Sequence, residues 1–211
     1  AHFAAGKGHK EMLEVLFKLD KNLLIAKKSD GCTPAHRAAA HGRIGTLKAL
    51  FKLDEDLLNA KNDEGCTPAH FAAKCYRKEM LEVLFKLDKN LLIAKDSDGY
   101  TPAHFAARNG HKEMLEALFK LDEDLLNAKD SEGWTPAHYA AEYGHTKTLE
   151  ALFKLDKNLL NAKNDEGCTP AHIAAANGHY DIIESLIKYS PDLLNAKDSE
   201  GWTPAHYAAE Y

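Results

Sequence analysis

Histidine is the residue type of this sequence best suited to chemistry, because an imidazole can bind a metal ion or transfer a proton near neutral pH. Twelve of the 211 residues are histidine. A thiolate beside an imidazole can act as a nucleophile, and three cysteines precede a histidine by four positions, in the pairs Cys32–His36, Cys66–His70 and Cys168–His172. The chemistries to weigh are therefore a metal site and a cysteine–histidine catalytic site.

The spacing of the histidines follows a repeat. The tetrapeptide Thr-Pro-Ala-His occurs six times at intervals of 34 residues, ending at His36, His70, His104, His138, His172 and His206. His2 is the tail of a further copy, and four more histidines follow a glycine at a second fixed position: His9, His111, His145 and His179. A fixed period of this length is the signature of a repeat protein. Only His41 lies outside the pattern.

Each repeat predicts a pair of helices. Thr101 is suited to cap the first helix and Pro102 to begin it, where a missing N–H costs nothing. His104, at the third helical position, can complete a capping box or reach a neighbouring loop. Gly110 ends the helix in the left-handed conformation. A second helix with an apolar stripe about 100° wide is predicted from about Lys112 to Leu121.

A single helix pair of this size cannot bury its apolar stripe, whereas stacked copies can. The sequence therefore predicts an all-α fold, a helical repeat solenoid with short hairpin-like turns. We expect one array over residues 1–211, with about six units of 34 residues. Neither end has the polar outer face of a capping repeat, so we expect the array to be truncated within a repeat at both ends.

The order of turn, Thr-Pro-x-His, helix, Gly-His and second helix resembles the ankyrin repeat over the whole chain. The family's usual period is about 33 residues, with leucine inside the tetrapeptide. This sequence has a period of 34 and alanine there, and the extra residue falls in the Leu-Leu-Asn-Ala-Lys linker, where it lengthens a loop. The resemblance implies an ankyrin-type solenoid whose first helices and turn tips line a concave groove where partners dock.

The 34-residue repeat argues against a metal site and against a cysteine–histidine catalytic site. A metal ion holds imidazole nitrogens at about 2.0–2.1 Å, whereas equivalent residues on packed helices lie about 8–10 Å apart. The position of the paired cysteines holds Tyr100, Trp134 and Trp202 in the other copies, which indicates a variable surface position. The sequence also has no phosphate-binding loop and no catalytic carboxylate pair. We therefore expect no enzyme activity, no metal and no cofactor.

The amino-acid composition excludes some classes of binding partner and indicates a cellular location. The 27 Lys and Arg residues against 32 Asp and Glu give a net charge of −5, which argues against nucleic-acid binding because such proteins carry a basic stripe. No apolar run approaches the roughly 18 residues of a membrane span, so we expect no membrane insertion. Four cysteines in 211 residues are too few for a disulfide framework. We therefore expect a reducing, cytoplasmic location.

Candidate binding residues are those that vary while the frame does not. They occupy four positions of each repeat: the residue after the turn glycine, the residue after the tetrapeptide, and the residues three and four positions beyond the latter. The last three of these positions lie on one face of the first helix. The predicted partner-binding residues are Tyr100, Phe105, Arg108, Asn109, Trp134, Tyr139, Glu142, Tyr143, Ile173, Asn177, Trp202 and Tyr207. Two of them, Phe105 and Tyr139, have an equally good interpretation as residues partly buried by neighbouring units. The second-helix residue Phe119 and its equivalents are expected in the core.

The main functional hypothesis is a protein-interaction scaffold that binds a protein partner on the concave face. Tyrosine, tryptophan and arginine dominate binding hot spots, so we expect Trp134 to anchor one with Tyr100, Tyr139 and Tyr143. A second hypothesis is a structural or self-assembling repeat spacer, since uncapped ends and near-identical units allow head-to-tail contacts. A third is a regulatory segment of a larger protein. The sequence does not identify the partner.

Overall fold

The repeat units of the sequence all fold as helices. The computed structural model describes residues 1–210, and these residues contain helices and turns but no β-strand, which confirms the all-α class. The chain divides into two compact units, Ala1–Pro102 (unit 1) and Ala103–Tyr211 (unit 2), with Tyr211 outside the described residues. A single array over residues 1–211 stays a prediction.

Unit 1 contains three pairs of helices and their linkers. The α-helices are α1 (His2–Lys7), α2 (Lys10–Leu19), α3 (Asn22–Ile25), α4 (Pro34–Ala40), α5 (Ile44–Leu53), α6 (Pro68–Lys74) and α7 (Lys78–Leu87). Two 3-10 helices follow α5 and α7, at Glu55–Leu58 and Lys89–Leu92. First helices pack on first helices, α1 on α4 and α4 on α6, and second helices pack on second helices, α2 on α5 and α5 on α7.

Unit 2 repeats the same arrangement. Its α-helices are α8 (Pro102–Arg108, whose first residue lies at the unit boundary), α9 (Lys112–Leu121), α10 (Pro136–Glu142), α11 (Thr146–Leu155), α12 (Pro170–Ala176), α13 (Tyr180–Tyr189) and α14 (Pro204–Glu210). The 3-10 helices are Glu123–Leu126, Lys157–Leu160 and Pro191–Asn195. The first helices α10, α12 and α14 pack in a row, as do the second helices α9, α11 and α13. The second helix predicted from Lys112 to Leu121 is confirmed.

The linker after each second helix is an ordered element rather than a loose loop. In unit 2 the Asp122 side chain accepts a hydrogen bond from the Asp124 N–H at 3.0 Å and begins a 3-10 helix. That helix buries Leu125 and Leu126. Asp54, Asp88 and Asp156 cap the equivalent linkers in the same way. Each of these four linkers therefore contributes two leucines to the core.

The second helices bury a narrower stripe than the sequence predicts. In α9 the side chains of Met114, Leu115 and Leu118 are buried, but Phe119 is only half-buried. The equivalent phenylalanines Phe17, Phe51, Phe85 and Phe153 are half-buried too, so the prediction that these residues belong to the core is wrong. Within residues 1–210, no helix combines the length and the apolar character needed to cross a membrane.

Candidate functional site

The tetrapeptide histidines connect each repeat to the next turn. In α10 the His138 Nδ1 accepts hydrogen bonds from the Thr135 N–H at 3.1 Å and the Thr135 hydroxyl at 2.8 Å. Its Nε2 donates to the Cys168 carbonyl at 2.9 Å. The capping box with a Thr and a His is present in α4, α6, α10 and α12. Both ring nitrogens are therefore occupied by structural hydrogen bonds.

Burial favours the neutral form of the imidazole in three of these histidines. Burial lowers the pKa of His138 to about 4, although its hydrogen bond to the Cys168 carbonyl acts in the opposite direction. Burial also lowers the pKa values of His36 and His172. A neutral ring whose Nδ1 accepts and whose Nε2 donates has one tautomer that fits. Within residues 1–210, no three His, Cys, Asp or Glu side chains are grouped in a way that could hold a metal ion.

The paired cysteines lie in the protein interior, so the prediction of a surface position is wrong for them. Cys32, Cys66 and Cys168 are all buried. Burial, together with the negative charge of the nearby Asp96 carboxylate, raises the pKa of Cys66 to about 12. Burial raises the pKa values of Cys32 and Cys168 as well. Because the thiolate is the nucleophilic form, these thiols are poorly suited to covalent catalysis.

A second fixed position also bonds to the preceding repeat. The Nε2 of His145 donates to the Arg108 carbonyl at 2.9 Å, and that of His179 donates to the Glu142 carbonyl at 2.8 Å. In unit 1 the same position holds Arg43 and Arg77, whose Nε atoms donate to the Gly6 and Ala40 carbonyls at 2.9 Å. Arginine therefore replaces histidine without loss of the bond. Tyr76, which precedes Arg77 where other repeats have glycine, accepts a positive φ of 55°.

Asp130 organises the turn before α10, and sequence reasoning missed it. Its Oδ1 accepts hydrogen bonds from the N–H groups of Glu132 and Trp134 at 2.9 Å. Its Oδ2 accepts a hydrogen bond from the Tyr139 hydroxyl at 2.6 Å. The sequence carries a signal for this role, since aspartate stands four residues before Tyr100, Trp134 and Trp202, whereas asparagine stands four residues before Cys66 and Cys168.

The last repeat of unit 2 repeats this network. The Asp198 Oδ1 accepts from the N–H groups of Glu200 at 2.9 Å and Trp202 at 2.8 Å. The Tyr207 hydroxyl donates to the Asp198 Oδ2 at 2.8 Å and lies 3.2 Å from the Cys168 Sγ. The turn aspartates therefore position the aromatic residues that follow them.

The predicted binding residues of unit 2 differ in exposure. Tyr139 and Ile173 are only 7% and 8% exposed, which corrects the expectation that they contact a partner directly. Tyr143 is 43% exposed and Trp202 is 36% exposed. We define the variable face of unit 2 as the exposed and half-buried members of the predicted set: Phe105, Arg108, Asn109, Trp134, Glu142, Tyr143, Asn177, Trp202 and Tyr207. Tyr100 is a half-buried residue of unit 1.

The structure brings part of the variable face together. The Arg108 guanidinium lies 5.2 Å from the centre of the Tyr143 ring. The Trp202 ring lies 5.9 Å from the Tyr207 ring, while the Trp134 ring lies 5.2 Å from the ring of Tyr139, which is buried beneath the face.

Two asparagines of the set bond to their own helices. The amide of Asn109 donates to the Phe105 carbonyl at 2.7 Å, and the amide of Asn177 donates to the Ile173 carbonyl at 2.9 Å. Each asparagine therefore satisfies a carbonyl at the end of its first helix while its side chain lies at the surface.

Comparisons with known proteins agree with this architecture. Models of ankyrin repeats match residues 1–94, 53–125, 88–161 and 137–187. A search of curated proteins finds no significant match. The fold is similar to the crystal structure of the ankyrin repeat domain of Bcl-3, described as a unique member of the IkappaB protein family. The TM-score is 0.81 and the identity 23%, over 98% of this chain and 92% of that chain.

Ankyrin repeats are generally protein–protein interaction modules, and proteins built from them are typically binding scaffolds without enzyme activity. The family matches extend over more than half of the sequence, as the Thr-Pro-Ala-His frame and the paired helices lead one to expect. The chain belongs to the ankyrin repeat family.

Proposed function

We propose that the chain is a non-enzymatic interaction scaffold that binds a protein partner on its concave face, through the variable face of unit 2. The observation that carries this proposal is the exposed Tyr143 beside Arg108, at the C-terminal ends of the first helices α10 and α8, whose end carbonyls accept hydrogen bonds from the following repeats. Aromatic and arginine side chains supply most of the energy at protein interfaces. A surface fixed in advance also loses less entropy on binding.

The turn networks support this proposal because they hold Trp134 and Trp202 in place before a partner arrives. The backbone N–H of each tryptophan donates a hydrogen bond to the aspartate of its own turn, and each indole ring lies against a tyrosine of the following helix. The proposal places the protein in a reducing, cytoplasmic compartment, where the free cysteines of the structure would stay reduced.

We expect the substitutions Trp134→Ala and Tyr143→Ala together to weaken partner binding by a few kcal/mol, because both remove large apolar contacts. The measurement is affinity purification from a lysate of the source organism, followed by titration of the captured partner. Far-ultraviolet circular dichroism should show unchanged helicity.

Tyr189→Ala is the matched control, because Tyr189 is 39% exposed, close to the 43% of Tyr143, and lies on the second helix α13 rather than on a first helix. Its binding should equal that of the unsubstituted chain. Partner binding that persists in the double variant would contradict the assignment of the face.

A second candidate function is self-assembly, favoured by two apolar surfaces. In unit 1, Met12, Val15 and Leu19 are exposed on α2. In unit 2, Tyr180 and Ile187 are exposed on α13 and line a cavity of about 550 Å³. Because the two surfaces differ, a contact between them would be heterologous and would extend into open chains.

We expect light scattering to show an apparent mass that rises with protein concentration if the chain self-assembles. The double substitution Met12→Lys and Leu19→Lys should abolish the rise, because it places charges on the exposed stripe of α2. A mass independent of concentration in the unsubstituted chain would exclude this candidate.

A further inference from the structure

Glu142 stands out on the variable face as a carboxylate without a cation bonded to it. Its side chain is half-buried at the end of α10, and within residues 1–210 it forms no hydrogen bond or ion pair. Burial raises the pKa of Glu142, as expected for a carboxylate that has lost water without gaining a partner. A carboxylate in this state gains more from a cation than a fully exposed one does.

The charges around Glu142 offset only part of the effect of its burial. Arg108 lowers the pKa of Glu142 by its positive charge, yet its guanidinium lies over the Tyr143 ring instead of forming an ion pair. Glu132, exposed in the turn before α10, acts in the opposite direction and raises the pKa of Glu142. The charge of Glu132 therefore reaches Glu142, and each carboxylate is followed closely in the sequence by an aromatic residue, Trp134 two residues after Glu132 and Tyr143 directly after Glu142.

The turn tips of unit 2 extend this negative charge. Asp165, Glu166 and Glu200 are exposed in the following turns, and the equivalent position to Glu142 in α12 is the small residue Ala176. Charge of one sign on a binding surface speeds the approach of a segment of the other sign. An acidic partner segment would be repelled at the same place.

We propose that the partner segment bound by the variable face presents a lysine or arginine side chain to Glu142 and Glu132, with Tyr143 contacting its aliphatic stem. This inference rests on the proposed binding function and names the chemistry of what is bound. A charge-assisted hydrogen bond to a half-buried carboxylate is stronger than one between neutral groups. An aromatic ring beside the cation adds a further attraction.

The test uses random 12-residue peptides displayed on phage and selected on the immobilised full chain. Synthetic copies of the most enriched peptides are then titrated against the unsubstituted chain, Glu142→Gln and Glu123→Gln by fluorescence polarisation. Glutamine keeps the volume of glutamate and removes its charge, and Glu123 is an exposed carboxylate on the linker after α9.

We expect enrichment of lysine or arginine in the selected peptides and a loss of about 10-fold in affinity for Glu142→Gln, while Glu123→Gln stays unchanged. Replacing the basic residue of the peptide by norleucine should cause a similar loss, with little further loss on Glu142→Gln. This double-mutant cycle separates a direct pairing from a general effect of charge.

The outcomes separate this inference from the proposed function. Peptides that depend on Tyr143 but lack a basic residue, or that bind Glu142→Gln as well as the unsubstituted chain, would overturn the inference and leave the binding face intact. A selection that yields no peptide, or peptides indifferent to Tyr143→Ala, would count against both.

Discussion

Replacing His138 by alanine is expected to lower the free energy of unfolding of unit 2 by about 3 kcal/mol, because two buried hydrogen-bonding groups lose their partner. The Thr135 N–H would no longer have the Nδ1 as its acceptor, and the Cys168 carbonyl would lose its donor. The side chain is completely buried, so its removal also leaves a cavity. Urea unfolding measures this loss, with tryptophan fluorescence following unit 2, where Trp134 and Trp202 lie, and far-ultraviolet circular dichroism following the helices of both units.

His41→Ala provides the control for that experiment. His41 is exposed, and its Nδ1 donates a hydrogen bond to the Arg37 carbonyl of the helix that precedes it, α4. Substitution at such a surface position is expected to change the free energy of unfolding by less than about 0.5 kcal/mol. Equal effects of the two substitutions would refute the structural role assigned to the tetrapeptide histidines.

The local features of the repeat could be predicted from the sequence because the residues that cause them are close along the chain. Threonine, proline and histidine lie within four positions, so their capping geometry follows from helix chemistry alone. The same holds for α9, whose predicted bounds from Lys112 to Leu121 are confirmed. The apolar stripe and the capping box together account for the all-α repeat fold.

The burial of individual positions could not be predicted, because it depends on contacts about one repeat away. The sequence predicts a surface position for Cys66, but the residue is buried and its carbonyl accepts a hydrogen bond from His36, 30 residues earlier. Asp130 and Tyr139 are nine residues apart, and nothing in either residue alone indicates that they are bonded. Only the joint variation of turn aspartates with tyrosine and tryptophan across the repeats carries that information.

For the same reason, the sequence predicted which positions of the repeat form the candidate site but not which of their side chains are exposed. Variation within a fixed frame identified Tyr143 and Trp202, which are exposed, and also Ile173, which is buried. Which residues of a varying position face outward depends on the size of the side chains in the neighbouring repeats, and this is a property of packing.

Acidification from pH 7 to pH 4 is expected to destabilise the protein through the same histidines. The pKa of an unfolded histidine is about 6.5, whereas burial lowers that of His138 to about 4 in the folded protein. The unfolded chain therefore binds more protons between these values, so the stabilisation is complete above pH 6.5 and is lost as the pH falls toward 4. At about 1.4 kcal/mol per pKa unit, His138 contributes roughly 3 kcal/mol, and His36 and His172 act in the same direction.

His138→Gln isolates this effect from other groups that titrate. Glutamine at the third helical position can still complete the capping box, but it has no proton to gain between pH 7 and pH 4. Glu142 acts in the opposite sense, because burial raises its pKa, and it is common to both proteins. The urea midpoint of the unsubstituted chain should therefore fall more steeply with acidification than that of His138→Gln. Parallel pH profiles for the two proteins would show that His138 does not titrate with a lowered pKa, since only the difference in slope reports its imidazole.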